Sequence, residues 1–255
     1  MKSIESHINL GRAYYKKGMI PEAIREFQLA LEMNPSSEAG RLWLGKSYYK
    51  LNNLEQAEIE LKNVIAKNHN AFKAHIALGH IYAKRKEWEL ERECYQRVIE
   101  IDNMLSEAYI NLGVSYYHTS NLKQAIESFR RAVEINPSDY LSYNNLGVVL
   151  FKTDEFEGAV EALHNSLKLN EKSSDTHKNL ALIYWHKGLY EEAVMQAKWA
   201  HACDSNETQM LTLLGVLYLH MGRHQQAVEI SKTIEQDAQN LPSLEEMLSV
   251  TVPAD

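Results

Sequence analysis

The chain has 255 residues, of which 45% are hydrophobic and 24% charged, which is typical of a folded protein and too apolar for a disordered one. A net charge of −7 argues against nucleic acid as the main partner, because phosphate binding requires a strongly basic surface. Two cysteines, Cys94 and Cys203, are too few for a disulfide framework or a zinc site. No secretory leader and no run of eighteen apolar residues is visible, so we expect a cytoplasmic protein, although a trimmed leader or anchor would leave no trace.

The sequence repeats itself every 34 residues. A Leu-Gly pair recurs at Leu10-Gly11, Leu44-Gly45, Leu78-Gly79, Leu112-Gly113, Leu146-Gly147 and Leu214-Gly215, with Leu180-Ala181 in the sixth place. A tyrosine follows the small residue by three positions in six of the seven repeats, and an alanine follows it by twelve in six. These ladders predict seven repeats that start at residues 4, 38, 72, 106, 140, 174 and 208 and cover 4–241, with a separate segment at 242–255.

The spacing of residues within each repeat predicts two helices that pack closely. Leu10, Gly11 and Tyr14 share one face of a first helix, and Ala23 and Phe27 share one face of a second. A glycine inside a helix costs about 1 kcal/mol relative to alanine, so its recurrence indicates a close helix–helix contact. Glycine or asparagine between the two stripes, at 18, 52, 121, 188 and 222, is suited to a left-handed helix end.

The fourth repeat carries an eight-residue pattern that resembles the tetratricopeptide repeat (TPR) family. Its residues are Tyr109, Leu112, Gly113, Tyr116, Ala125, Phe129, Ala132 and Pro137. This resemblance implies an all-α fold, a right-handed α-α superhelix of antiparallel helix pairs, in which the first helices line a concave groove.

Two departures from the pattern predict local behaviour. Glu91 stands where six other repeats have alanine, which predicts that the third repeat is the weakest part of the array. Beyond the last repeat, Leu244, Met247 and Leu248 have amphipathic spacing, so we expect 242–255 to cap the end of the array.

Repeats four to six combine amide, ring and cation at positions that the family places in the groove. The residues are Asn111, Asn145 and Asn179, then Tyr117, Phe151 and Trp185, then His118, Lys152 and His186. A carboxamide has donors and an acceptor that can pair with a peptide backbone, and the superhelical arm of the O-linked N-acetylglucosamine transferases uses such an asparagine ladder. The alternatives are a family preference for asparagine, cations that oppose the helix dipole, and rings that pack within the array.

Other site chemistry is not indicated. The carboxylate clamp of chaperone-binding relatives would require Lys, Asn and Asn where this chain has Ile8, Arg12 and Trp43. His220 and His224 lack a third ligand, so we predict no metal site. The sequence contains no Gly-rich phosphate loop and no HExxH motif, so we expect neither an enzyme nor a cofactor.

The sequence therefore predicts a non-enzymatic scaffold that binds an extended peptide or partner segment in its groove. The cations favour a ligand with acidic flanks, and histidine gains charge below about pH 6.5, so binding of such a ligand should strengthen as the pH falls. The alternatives are the recruiting arm of a larger enzyme such as a glycosyltransferase, or a self-associating assembly protein of the bacterial pilus, secretion or organelle type. The oligomeric state stays open.

Overall fold

The computed structural model describes residues 3–204 and 208–235. Within them the chain forms fourteen α-helices and no strand, in consecutive pairs: α1 Ile4–Lys16, α2 Ile20–Met33, α3 Glu38–Lys50, α4 Leu54–Lys67, α5 Phe72–Arg85, α6 Trp88–Ile101, α7 Ser106–His118, α8 Leu122–Ile135, α9 Tyr140–Lys152, α10 Phe156–Leu169, α11 Ser174–His186, α12 Tyr190–Cys203, α13 Thr208–His220 and α14 His224–Glu235. The odd-numbered helices are called first helices and the even-numbered ones second helices. The segment 242–255, with its predicted cap residues, lies outside the described residues.

The helices belong to two compact units that divide after Ala108. In unit 1, α1 packs on α2, α3 on α4 and α5 on α6, while the first helices α1, α3 and α5 also contact each other in turn. In unit 2, α9 packs on α10, α11 on α12 and α13 on α14, and the first helices α9 and α11 contact each other. The chain is an all-α solenoid of paired helices, as the sequence predicts. None of the described helices is long and apolar enough to cross a membrane.

In the first five repeats, the glycine of the Leu-Gly pair lies close to a large residue of the second helix of the same repeat. A Cβ atom added at Gly11 would lie 2.5 Å from a ring carbon of Phe27, which is sixteen residues further on and fully buried. In the sixth repeat both members differ, because Ala181 replaces the glycine and Ala197 replaces the large residue. Both alanines are fully buried in one apolar cluster. The change of glycine to alanine is therefore accompanied by a smaller residue at the partner position.

Each first helix ends in the same turn. The turn residue has positive φ in all seven repeats and recurs at the same repeat position, at Gly18, Asn52, Lys86, Ser120, Asp154, Gly188 and Gly222. The next residue donates its N–H to a carbonyl five positions back, as in Met19 to Tyr14 at 3.0 Å. This is the Schellman arrangement, which satisfies carbonyls at the helix end. It confirms the left-handed ends predicted at Gly18, Asn52, Gly188 and Gly222, and shows that Ser120 rather than Asn121 takes this conformation in the fourth repeat.

Candidate peptide-binding groove

The three predicted asparagines lie on first helices of unit 2 and are all buried. Asn111 on α7 is 2% exposed, and Asn145 on α9 and Asn179 on α11 are 0% exposed. Val148 on α9 and Leu182 on α11, each three residues after one of these asparagines, are also fully buried. The asparagines therefore belong to the buried layer beneath the surface of the first helices.

A fourth asparagine, not singled out from the sequence, pairs with the predicted set. Asn179 Nδ2 donates to Asn144 Oδ1 at 3.0 Å across the α9–α11 contact. The other two amide atoms, Asn179 Oδ1 and Asn144 Nδ2, are buried and have no hydrogen-bond partner in the described part of the chain. If both amides are flipped, so that oxygen and nitrogen exchange places, one acceptor and one donor are still left without a hydrogen bond. The pair is therefore under-satisfied, meaning that two of its four amide atoms form no hydrogen bond. Each unpaired buried polar atom costs roughly 1–3 kcal/mol.

The predicted cations mostly contact rings of the preceding repeat. Lys152 Nζ lies 5.2 Å from the ring centroid of Tyr117, and the ring of His186 lies 5.4 Å from that of Phe151. The ring of His186 also lies 5.2 Å from that of Phe156, a second-helix residue, with the two ring planes tilted by 31°. The third predicted cation, His118, lies 5.8 Å from its own neighbour Tyr117. In repeats five and six, cation and ring therefore connect adjacent repeats.

The three predicted rings differ in accessibility. Phe151 is 8% exposed and belongs to the core cluster of unit 2, so its ring packs within the array. Tyr117 and Trp185 are half-buried at the edges of core clusters, and the cations His118, Lys152 and His186 are all exposed. Tyr117 and Trp185 are thus the rings of the predicted set with surface that a ligand can reach.

Lys178 is a charged residue that the sequence prediction did not include. It directly precedes Asn179 and occupies the repeat position that Asn144 occupies in the repeat before. Its side chain is buried, with Nζ 2.9 Å from Asp175 Oδ1. Asn144 and Lys178 directly precede Asn145 and Asn179, so comparing the position before each predicted asparagine across the repeats could have identified them from the sequence.

The first helices of unit 1 carry a different set of contacts. Trp43 has the guanidinium of Arg12 at 5.2 Å and Lys46 Nζ at 5.8 Å from its ring centroid. Lys84 Nζ lies 5.3 Å from the ring of Tyr49. Arg12, Lys46 and His80 occupy one repeat position in three successive repeats, a ladder that could have been found in the sequence.

The carboxylates that form ion pairs in unit 1 lie mainly on the second helices. Glu58 accepts from Lys62 at 2.6 Å and from Arg85 at 2.5 Å, and Glu60 pairs with Arg41 at 2.6 Å. Burial alone would raise the pKa of Glu58, but the hydrogen bonds from Lys62 and Arg85 outweigh it and lower that pKa. The fold therefore stabilises the ionised carboxylate.

Two histidines of the first helices have hydrogen-bond partners within the fold. His177 Nδ1 lies 2.7 Å from Gln196 Oε1 and its Nε2 lies 3.0 Å from the carbonyl of Glu171. His7 Nδ1 lies 2.7 Å from Glu26 Oε2. Across residues 3–204 and 208–235, no three His, Cys, Asp or Glu side chains are grouped to hold a metal ion.

Sequence profiles of the tetratricopeptide repeat match most of the chain. One profile covers residues 11–52, a second covers 106–139, and a third covers 44–103 and 144–197. The chain belongs to the tetratricopeptide repeat family. Among curated protein sequences, none matches it.

Solved structures with the same fold come from several TPR proteins. PilF of Pseudomonas aeruginosa is 20% identical with a TM-score of 0.68, over 78% of this chain and 90% of that one. YrrB, described as a TPR protein with an unusual peptide-binding site, is 18% identical with a TM-score of 0.61, over 77% and 97%. MamA is 24% identical with a TM-score of 0.59, over 66% and 92%. The family supports a protein-interaction scaffold, and TPR proteins are generally not enzymes.

Proposed function

We propose that this TPR chain is a non-enzymatic scaffold that binds an extended peptide along the first helices of repeats four to six. The observation that carries the proposal is the under-satisfied pair formed by Asn144 and Asn179. One acceptor and one donor are the complement of one peptide group, whose N–H donates and whose carbonyl accepts. A peptide backbone bound there would satisfy both atoms whatever its side chains are.

The burial of these atoms sets a condition on binding. Because neither atom contacts solvent, a ligand reaches them only when α9 and α11 separate slightly. The cost of separating the helices is offset in part by hydrogen bonds to two atoms that otherwise have none. The half-buried rings of Tyr117 and Trp185 would then contact apolar side chains of the ligand, and His118, Lys152 and His186 would favour acidic flanks. YrrB offers a precedent of fold only.

The test is selection of binders from a displayed library of random twelve-residue peptides. We expect the wild-type chain to enrich a set of peptides, and the variant Asn111→Ala/Asn145→Ala/Asn179→Ala to lose them while keeping its helicity, because alanine is a good helix former. The matched control replaces three amides on second helices, Asn63, Asn165 and Gln226, by alanine and should enrich the same peptides as the wild type.

A second measurement addresses the backbone contact itself. Methylating one backbone nitrogen of a selected peptide removes a single donor, and we expect at least a tenfold loss of affinity at one or two positions. Any residual affinity of the asparagine variant for the peptide at high concentration should not change on the same methylation. Equal enrichment by the wild-type and asparagine variants, or uniform tolerance of methylation, would contradict the proposal.

A further inference from the structure

Positive charge is concentrated on the first helices of unit 1. Helices α1, α3 and α5 together carry eight lysines and arginines and two glutamates. Helices α9, α11 and α13 of unit 2 carry two lysines and one aspartate. This concentration occurs in a chain whose net charge is −7, so the rest of the chain is correspondingly acidic.

Three of these cations are held against rings rather than against carboxylates. Arg12 and Lys46 both lie over Trp43, and Lys84 lies over Tyr49. A cation–π contact contributes about 0.5–1 kcal/mol at an exposed site and leaves the charge of the cation in place. Among the described residues, none of these three cations is paired with a carboxylate. The rings therefore position the cations without neutralising them.

The remaining cations of the same helices include two that behave differently. Arg41 and Arg85 reach back to the second helices, where Glu60 and Glu58 neutralise them. These pairs occupy carboxylates that could otherwise have screened the first helices. Arg41 and Arg85 are paired with carboxylates, whereas Arg12, Lys46 and Lys84 lie over rings and keep their charge. The first helices of unit 1 therefore have a net positive surface.

We propose that the residues Arg12, Trp43, Lys46, Tyr49 and Lys84, called the cationic face, bind an acidic polypeptide segment. Side-chain carboxylates of the segment would pair with the guanidinium of Arg12 and the ammonium groups of Lys46 and Lys84, while Trp43 would contact the aliphatic parts between them. This site lies in unit 1 and goes beyond the peptide groove proposed for unit 2.

The charge pattern favours a polypeptide over a nucleic acid. A polynucleotide carries a charge on every nucleotide and extends past a short cationic surface, so the acidic remainder of this chain would repel it. An acidic segment of a polypeptide can place a few carboxylates at the cationic face alone.

The experiment measures binding of a defined acidic probe to the full-length chain. The probe is a peptide of alternating glutamate and glycine, twelve residues long, labelled with an uncharged fluorophore and amidated at its C-terminus, so that its carboxylates are those of the side chains. Fluorescence anisotropy should show binding that weakens as salt rises, because exposed charges are screened. The variant Arg12→Gln/Lys46→Gln/Lys84→Gln should bind the probe at least tenfold more weakly than the wild type.

A matched control removes the same charge from second helices through Arg97→Gln/Arg130→Gln/Arg131→Gln. These three arginines each lie within 4 Å of a glutamate, namely Glu100, Glu155 and Glu134. The control should bind within twofold of the wild type. The charge-conserving variant Arg12→Lys/Lys46→Arg/Lys84→Arg should also retain binding, which separates loss of charge from loss of fold, and circular dichroism checks the helicity of each variant.

Three outcomes would overturn the proposal. They are no binding of the probe by the wild type, equal weakening in both charge-removing variants, and tighter binding of a twelve-nucleotide thymidine oligomer with the same dependence on Arg12, Lys46 and Lys84. The variant with Asn111, Asn145 and Asn179 replaced by alanine should bind the acidic probe as the wild type does. Failure of the cationic face and failure of the peptide groove are thereby distinguishable.

Discussion

Units 1 and 2 have the same contact between the two helices of a pair but different residues beside it on the first helices. In both, a glycine of the first helix accommodates a large residue of the second, as in Gly45 with Leu61 and Gly147 with Leu163. The position that follows the glycine differs between the units, because it holds Lys46 in unit 1 and Val148 in unit 2. The two units therefore share the contact within each helix pair, whereas this neighbouring position is charged and half-buried at Lys46 but apolar and fully buried at Val148.

The largest expected effect on the free energy of unfolding is at the glycine contact that both units share. A Cβ atom at Gly45 would lie 2.9 Å from Leu61 Cγ, and one at Gly147 would lie 2.6 Å from Leu163 Cγ. We expect Gly45→Ala and Gly147→Ala each to lower the free energy of unfolding by about 2 kcal/mol, because the helices must move apart. Urea denaturation followed by circular dichroism measures both.

The last repeat supplies the control for this pair. At Gly215 an added Cβ atom meets its nearest neighbour, Ile230, at an ordinary 3.5 Å, so Gly215→Ala should be neutral or slightly stabilising. A large cost in one unit with none in the other would show that the two units do not share the same packing.

The second effect belongs to unit 1 alone and depends on pH. Glu58→Gln should lower the free energy of unfolding at pH 7 by about 1.5 kcal/mol, because the charged hydrogen bonds to Lys62 and Arg85 are lost. Since the folded state lowers the pKa of Glu58, this contribution is fully present above the unfolded value of about 4.3 and is lost as the pH falls through the lowered value. The difference between wild type and variant should therefore shrink in acid.

An exposed pair in unit 2 is the comparison for Glu58. Glu157 pairs with Lys187 at 3.2 Å but its side chain is 88% exposed, so Glu157→Gln should leave the unfolding curve unchanged. A difference for Glu58→Gln that persists undiminished to pH 2 would contradict the assigned role of its ionised form.

The smallest effect concerns the predicted weak repeat. Glu91 is 2% exposed where six other repeats have alanine. We expect Glu91→Ala to raise the free energy of unfolding by about 1 kcal/mol, because the variant no longer buries a carboxylate. If thermal unfolding instead shows a lower midpoint, the interactions that Glu91 makes outweigh its desolvation, and the third repeat is not weak.

The repeated elements of the fold could be predicted from the sequence because their causes are local. Leu10, Gly11 and Tyr14 show the face of a helix through their spacing alone, and the glycine at 18 shows where it ends. The joint change to Ala181 and Ala197 is also visible in the sequence, although only the structure shows that both are buried in one cluster.

The site was less predictable because it depends on distances between helices. Spacing placed Asn145 and Asn179 at equivalent positions, but the pairing of Asn179 with Asn144 follows from how closely α9 and α11 approach. The burial of Phe151 likewise depends on Phe156 and His186, which come from two other helices. Position along one helix therefore did not determine which side chains stay accessible.

The contact between Gly11 and Phe27 has a consequence for how such a chain changes length. Both partners lie within a single repeat, so a duplicated block brings along its own tightest contact and needs no compensating change elsewhere. A single residue inserted within either helix, between the contact residue and the turn, would instead rotate one partner away from the other by about 100° of helix. Growth or loss in whole blocks is the least disruptive route, and the length of peptide that the proposed groove could span should change in equal steps along with it.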